Sequence, residues 1–181
     1  MAQEKWKFDL VHSTVGFSVR HLMISRVHGV FKTWNGTLTA PDGNLANAKV
    51  EVSIDAASID TKEAQRDEHL RSADFLDAAK YPNIVFESTS IQKVNAQTFK
   101  VIGQLSLHGV TKEVTLDTEY FGAQKDPWGG ERMGFSAKTS IVRQDFGLAF
   151  NIPLDGGGFM VGDKIEITLD VQAVREVAKA A

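Results

Sequence analysis

The sequence contains no cysteine, no apolar run as long as a membrane span and no excess of basic side chains. The lack of cysteine excludes disulfide bonds, thiolate nucleophiles and thiolate metal ligands. No stretch approaches the roughly 20 apolar residues that a membrane-spanning helix needs. With 20 Lys and Arg against 23 Asp and Glu, the net charge is −3, so no broad basic field attracts nucleic acid. We therefore expect neither a nucleic-acid partner nor an integral membrane segment.

The N-terminal stretch MAQEKWKFD lacks the apolar core of a signal peptide. As written, the chain is expected to be cytoplasmic, and a periplasmic or secreted location is expected if this N-terminus is the product of processing. The 181 residues have an ordinary composition, 43% hydrophobic and 24% charged. Length and composition together indicate a single domain over residues 1–181 that can bury a substantial core.

Several catalytic motifs are also missing. No G-x-S-x-G nucleophile elbow occurs. The run GGGFMVG has Val161 where a dinucleotide fingerprint needs glycine, and Asp163 where a P-loop needs lysine. The five histidines show neither H-x-x-H nor H-E-x-x-H spacing. We expect no cofactor and no metal. The alternative is that histidines such as His12 and His21 converge in space, which would give a metal-dependent or His-based enzyme acting on a small apolar substrate.

What the chain does have is alternation of apolar and polar residues, which is typical of strands with one buried face. It is clearest in residues 14–22, where Val15, Phe17, Val19 and His21 share one face. The same pattern predicts seven further strands at about 28–39, 48–55, 83–91, 98–107, 112–120, 132–141 and 163–174. Short turns between half-buried strands favour antiparallel pairing. We therefore predict an all-β fold, an eight-stranded antiparallel β-barrel.

Two segments depart from this pattern. In the second strand, Phe31 and Trp34 are three residues apart, so a regular pleat cannot bury both, and Gly36 is the expected site of a bulge or bend. Residues 60–80 are rich in helix-forming residues and predict a short helical excursion in two pieces, long enough to cap one end of the barrel.

The interior of such a barrel can be filled by side chains or can hold one ligand. The apolar residues outside the strands favour a ligand, because apolar loop residues are unusual unless they cover something. They are Phe75, Leu76, Phe146, Leu148, Phe150, Phe159 and Met160. A filled barrel serving as a structural or interaction domain is the remaining alternative. Arg143 either bonds loop carbonyls or faces a ligand head group.

Six stretches of the chain together resemble the YceI-like polyisoprenoid-binding family: DLVHSTVGFSVRHL, VHGVFKTWNGTL, SIDTKEAQRDEHLRSADFLDAAKYPNIVFES, VIGQLSLHGVTKEVTL, SIVRQDFGL and VGDKIEITLDV. They follow the family's order over nearly the whole chain. The resemblance implies a lipocalin-like barrel with a long hydrophobic pocket. It also implies non-catalytic binding, transport or storage of an isoprenoid or isoprenoid-quinone-like lipid in bacteria, often in exported proteins.

We take as candidate ligand-binding residues those in the stretches that resemble the family, most of them at positions expected to face the barrel interior. They are Phe17, Val19, Phe31, Trp34, Phe75, Phe86, Leu105, Phe135, Ile141 and Phe146. For the polar head-group end, the candidates are Arg20, His21 and Arg143. We further expect that the chain can form a homodimer.

Overall fold

A computed structural model describes residues 3–177 of the chain. It consists almost entirely of strands, with one α-helix, α1 (Ala64–Arg71). The strands are β1 (Gln3–Phe8), β2 (Thr14–His21), β3 (Ser25–Phe31), β4 (Trp34–Pro41), β5 (Lys49–Asp55), β6 (Ile59–Asp60), β7 (Asn83–Lys93), β8 (Thr98–Leu107), β9 (Val110–Lys125), β10 (Glu131–Val142) and β11 (Val161–Arg175).

These eleven strands form one closed antiparallel barrel with eight positions around its wall. Three positions are each shared by two short strands in succession: β1 with β2, β3 with β4, and β5 with β6. The barrel closes because β11 pairs with β2 along its first part and with β1 near its end. The predicted all-β fold and the eight-stranded barrel are confirmed.

The interruptions within the first three wall positions lie side by side. A short 3-10 helix (Leu10–His12) separates β1 from β2, and another (Ala56–Ser58) separates β5 from β6. The break between β3 and β4 at residues 32–33 resets the pleat, so Phe31 and Trp34 both face the interior. Gly36 pairs regularly with Val52. The expected bulge or bend at Gly36 is therefore wrong, because the break at residues 32–33 already restores the alternation.

The turns define two ends of the barrel. The upper end carries residues 22–24, residues 56–82, the turn at 108–109 and the long loop 143–160, and the lower end carries residues 42–48, 94–97 and 126–130. The helical excursion is confirmed only over α1, since residues 72–80 form turns and not the expected second helical piece. The side chain of Glu63 caps α1 by accepting from the backbone N–H of Gln65 and Arg66.

A buried carboxylate anchors α1 to the upper end of the barrel. Asp67 is only 6% exposed, and its Oδ1 accepts hydrogen bonds from the backbone N–H and the hydroxyl of Thr61. From the same helix, Arg66 donates to the hydroxyl and the carbonyl of Thr61, and Arg71 donates to the carbonyls of Ala57 and Ile59. These bonds hold the helix across the barrel end, because buried polar groups are costly when unpaired.

Candidate ligand-binding site

The barrel encloses a cavity of about 360 Å³ whose wall is almost wholly apolar. It extends along β11 from Val161 at the upper end to Val171 in the lower half. Ten residues of a strand tilted as in a barrel correspond to roughly 25 Å along the axis. The interior is therefore not filled by its own side chains, and its volume lies within the usual range of ligand pockets.

Twelve of the thirteen predicted ligand-binding residues lie on this wall: Phe17, Val19, Arg20, His21, Phe31, Trp34, Phe75, Phe86, Leu105, Phe135, Ile141 and Arg143. Phe146 does not. It ends a short 3-10 helix (Arg143–Phe146), is only 2% exposed, and packs in the core with Leu107 and Ile141. Phe146 therefore lies in the core beneath the loop, and its contact with a ligand stays a prediction.

Inward-facing glycines make room for several phenylalanine rings. A side chain at Gly29 would overlap the ring of Phe17, and one at Gly103 would overlap the ring of Phe86. At Gly36, an added Cβ would lie 2.8 Å from the ring of Phe8. All of these rings belong to the cavity wall. Each ring lies over a glycine of a nearby strand, so it covers the wall without crossing the cavity.

Some wall residues were not predicted from the sequence. Phe8 of β1 lines the lower half, although its segment was not counted as a strand, and Arg66, His69 and Leu70 of α1 line the upper end. The spacing of Trp6 and Phe8, two residues apart, is a strand signal that could have found the first of these. The helix residues carry no such signal, because α1 has no marked apolar face.

The charged and imidazole groups of the wall gather at the upper end. Arg143 is almost fully buried, and its guanidinium donates to the carbonyls of Leu148, Phe150, Val161 and Gly162. Burial lowers the pKa of Arg143 below its ordinary value. Two of these carbonyls belong to the loop 143–160 and two to β11, so Arg143 holds the loop on the barrel. Bonding to backbone carbonyls is one of the two roles that the sequence predicted for this residue.

His21 and His69 are the two histidines of the cavity wall, both at its upper end. His69 is hydrogen-bonded to Asp74 through Nε2 at 2.8 Å. The ring of His21, at the end of β2, makes no side-chain hydrogen bond within residues 3–177 and so has its nitrogens available to a ligand. Arg20, its neighbour, is exposed beside the mouth.

Three rings pack together at the upper end of the barrel. His69, Phe75 and Phe150 stack edge to face, with centroid separations of 5.0, 5.1 and 5.1 Å. Phe150 belongs to the loop 143–160, whereas His69 and Phe75 belong to the segment that contains α1. The cluster therefore joins the two covers of the upper end, and such aromatic pairs add to the stability of the contact.

The histidines do not meet in space. His12 pairs with Asp9, His69 with Asp74, and His108 with the carbonyl of Phe146. Within residues 3–177, no group of three or more His, Asp or Glu side chains is arranged to hold a metal ion. In the same part of the chain, no helix is both long enough and apolar enough to span a bilayer.

Comparison with known proteins identifies the family. The model of the YceI-like domain matches residues 6–173. The chain belongs to the YceI-like family. The YceI protein of Escherichia coli is 42% identical over 165 residues, which cover 91% of this chain and 83% of that protein. The resemblance read from the sequence motifs is thereby confirmed.

Solved structures of YceI-like barrels agree with this fold. The YceI protein of Campylobacter jejuni has a TM-score of 0.72 at 31% identity, with 88% of this chain and 90% of that chain covered. A polyisoprenoid-binding domain from Saccharophagus degradans, implicated in plant cell wall breakdown, has a TM-score of 0.70 at 14% identity, with 94% and 98% covered. The second likeness shows a shared fold.

Proposed function

We propose that this protein binds an isoprenoid or a similar long-chain lipid inside the barrel and carries or stores it without chemical change. The observation that carries the proposal is the shape and chemistry of the cavity. It is long, almost wholly apolar, and has its charged and imidazole groups at one end. A long apolar chain with a small polar head has the same distribution of polarity. The polyisoprenoid-binding domain from Saccharophagus degradans, which shares the fold, supports this ligand class.

We place the tail along the wall residues Phe17, Phe86 and Phe135 and the polar head near His21 and His69. The hydrophobic effect supplies about 25 cal/mol per Å² of apolar surface removed from water, less the cost of ordering the chain. Affinity should therefore increase with chain length and change little with salt. The head group is expected to select ligands weakly, because the polar groups are few.

Mass spectrometry of the purified protein tests this proposal directly. Organic-solvent extraction of the protein should release a lipid, and protein stripped of lipid should take up added isoprenoid alcohol or quinone in a one-to-one ratio. Absence of both released lipid and uptake would overturn the proposal. Conversion of the added lipid into a different compound during incubation would contradict the non-catalytic part.

Location and oligomeric state remain predictions. Cell fractionation would test a cytoplasmic against a periplasmic location. Analytical ultracentrifugation over a range of concentrations would test the homodimer. Neither result changes the proposed ligand class, because the cavity lies within one chain.

A further inference from the structure

The upper end of the barrel presents apolar side chains to solvent around the cavity mouth. Leu22, Met23 and Ile24 form the tip between β2 and β3, and they are 38%, 55% and 82% exposed. Ile152 and Phe159, on the loop 143–160, are 46% and 51% exposed. We call these five residues the apolar rim.

The two parts of the apolar rim are in contact and lead into the cavity. The backbone N–H of Leu22 donates to the carbonyl of Met160 at 2.8 Å, and the side chain of Met23 lies over Gly158. Met160 is itself part of the cavity wall. An apolar surface therefore continues from solvent, over the rim, into the cavity.

The tip adopts a turn that its residues do not favour. Leu22 and Met23 have φ values of 52° and 65°, and the N–H of Ile24 donates to the carbonyl of His21. Positive φ at both central residues is typical of type I′ turns, in which Asn-Gly is preferred and bulky residues are disfavoured. Met23 and Ile24, at 55% and 82% exposure, gain little burial within residues 3–177 that would offset the strain. Stabilisation of the folded chain therefore does not explain the apolar side chains at this tip.

Basic side chains lie directly behind the tip. Arg20 and Arg26 are paired across β2 and β3, and both are exposed. Like charges opposite one another on a sheet are unfavourable. Neither arginine forms a salt bridge within residues 3–177, nor does Lys164 at the start of β11. Three acidic groups are close to Lys164 in the chain. They are Asp155 in the loop, Asp163, whose carboxylate accepts a hydrogen bond from Gln144, and Glu166, two residues after Lys164 on the same face of β11.

We propose that the apolar rim docks on the surface of an anionic lipid bilayer, with Leu22, Met23 and Ile24 inserted among the acyl chains and Arg20 and Arg26 against the headgroups. An apolar tip backed by cations suits the boundary between acyl chains and anionic headgroups. Docked in this way, the cavity mouth faces the bilayer, and a lipid enters the barrel without crossing water. This inference rests on the proposed function for its purpose, but the docking itself requires no ligand.

Flotation with phosphatidylethanolamine–phosphatidylglycerol vesicles that contain no isoprenoid tests the docking. Wild-type protein should float with these vesicles at low salt, and a smaller fraction should float with phosphatidylcholine vesicles.

The double variant Leu22→Asn with Met23→Gly supplies the residues that a type I′ turn prefers, so we expect an equal or higher melting temperature and about tenfold weaker partitioning. Arg26→Gln should weaken partitioning about fivefold at low salt. Val94→Asp is the matched control, because Val94 is 56% exposed at the opposite end.

The outcomes separate docking from lipid binding. Uptake of isoprenoid alcohol from dilute detergent should be unchanged in the double variant, while its transfer from vesicles should be slower. Unchanged flotation of the double variant, or loss of flotation in Val94→Asp, would overturn the docking. Wild-type self-association that the double variant abolishes, without flotation, would assign the rim to a second copy and would also overturn it. Failure of uptake from detergent with intact flotation would refute the proposed function alone.

Discussion

The ring of Phe17 lies over Gly29, its direct partner across β2 and β3, so closely that a methyl group on Gly29 would overlap the ring. That methyl group would also lie 3.0 Å from the methyl group of Thr61. The ring of Phe17 packs against the ring of Phe31, with centroids 5.7 Å apart, and lines the cavity. The width of the cavity at this level therefore depends on the absence of a side chain at Gly29.

Gly29→Ala should push the ring of Phe17 into the cavity. We expect a loss of about 1–3 kcal/mol in the free energy of unfolding, as for other overpacked cores, and weaker uptake of long isoprenoid chains. Urea denaturation and ligand titration measure the two effects. Gly156→Ala is the matched control, because a side chain there meets no atom within 4 Å. Equal ligand affinity in Gly29→Ala and wild type would show that Phe17 does not limit the cavity.

Gly103→Ala should be more harmful to stability than Gly29→Ala. An added Cβ at Gly103 overlaps the backbone carbonyl of Glu87 as well as the ring of Phe86. A ring can rotate away, whereas a carbonyl of a paired strand moves only with the sheet. Thermal unfolding of the two variants side by side tests this order. The reverse order would mean that the sheet yields more easily than the aromatic packing.

Enlarging a ring on the wall should narrow the cavity from within. We expect Phe17→Trp and Phe135→Trp to reduce the uptake of long chains more than that of short ones, because both residues line the cavity. Phe121→Trp serves as the control, since Phe121 is 63% exposed on the outside of the barrel. Fluorescence titration with ligands of increasing length would show the difference. Equal affinities for all three folded variants would remove Phe17 and Phe135 from the binding site.

Arg143→Lys should release the loop 143–160 from the barrel. A lysine keeps the charge but cannot reproduce the planar fork of donors that reaches four carbonyls. Because some of these backbone carbonyls would lose their donor, we expect a loss of about 2–4 kcal/mol in the free energy of unfolding. Faster hydrogen exchange in residues 147–160, with unchanged exchange in β8 and β9, would locate the effect. Uniformly faster exchange would contradict a role confined to the loop.

Asp9 should make the protein sensitive to acid. Burial alone would raise its pKa, but hydrogen bonds from His12, Arg132 and the N–H of Val11 lower it from 3.8 to about 2. Because the folded pKa lies below the unfolded one, the stabilisation is complete above pH 3.8 and is lost as the pH falls toward 2.

Asp9→Asn isolates that contribution, because asparagine can still cap the N–H of Val11. We expect the variant to lose about 1 kcal/mol at neutral pH, a value reduced for the partial exposure of the pair. Its stability should also fall less than that of the wild type between pH 4 and 2. Chemical denaturation at a series of pH values checks both statements. Parallel pH curves for the two proteins would contradict the assignment to Asp9.

The regular part of this fold could be predicted from alternation alone. Val15, Phe17 and Val19 face the interior as their period of two requires, and the eight wall positions follow from the same rule. The interruptions could not be predicted in this way. Between Phe31 and Trp34 the pattern breaks, but the sequence does not say whether a bulge or a gap restores the phase.

The site could be predicted where it is built from strands, and less well where it is built from loops. Phe75 and Phe146 are both aromatic residues outside the strands, yet only Phe75 reaches the cavity. The difference depends on tertiary packing, which local sequence does not encode. For Arg143, both alternatives were consistent with its position, and only the positions of four backbone carbonyls decide between them.

The interruptions between β1 and β2, between β3 and β4 and between β5 and β6 affect how the upper end of the barrel is held together. At the upper end, β6 pairs with β3 but not with β7, so the wall between them is made by α1 and residues 72–82. Lifting that segment would break the bonds of Thr61, Asp67 and Arg71, but no hydrogen bond of the ladders between β7 and β11. The segment therefore lies outside these ladders, although its Leu76 and Ala78 pack in the core with Phe86 and Leu105. We expect loss of its hydrogen bonds to increase the mobility of this segment while the strand pairing from β7 to β11 is kept.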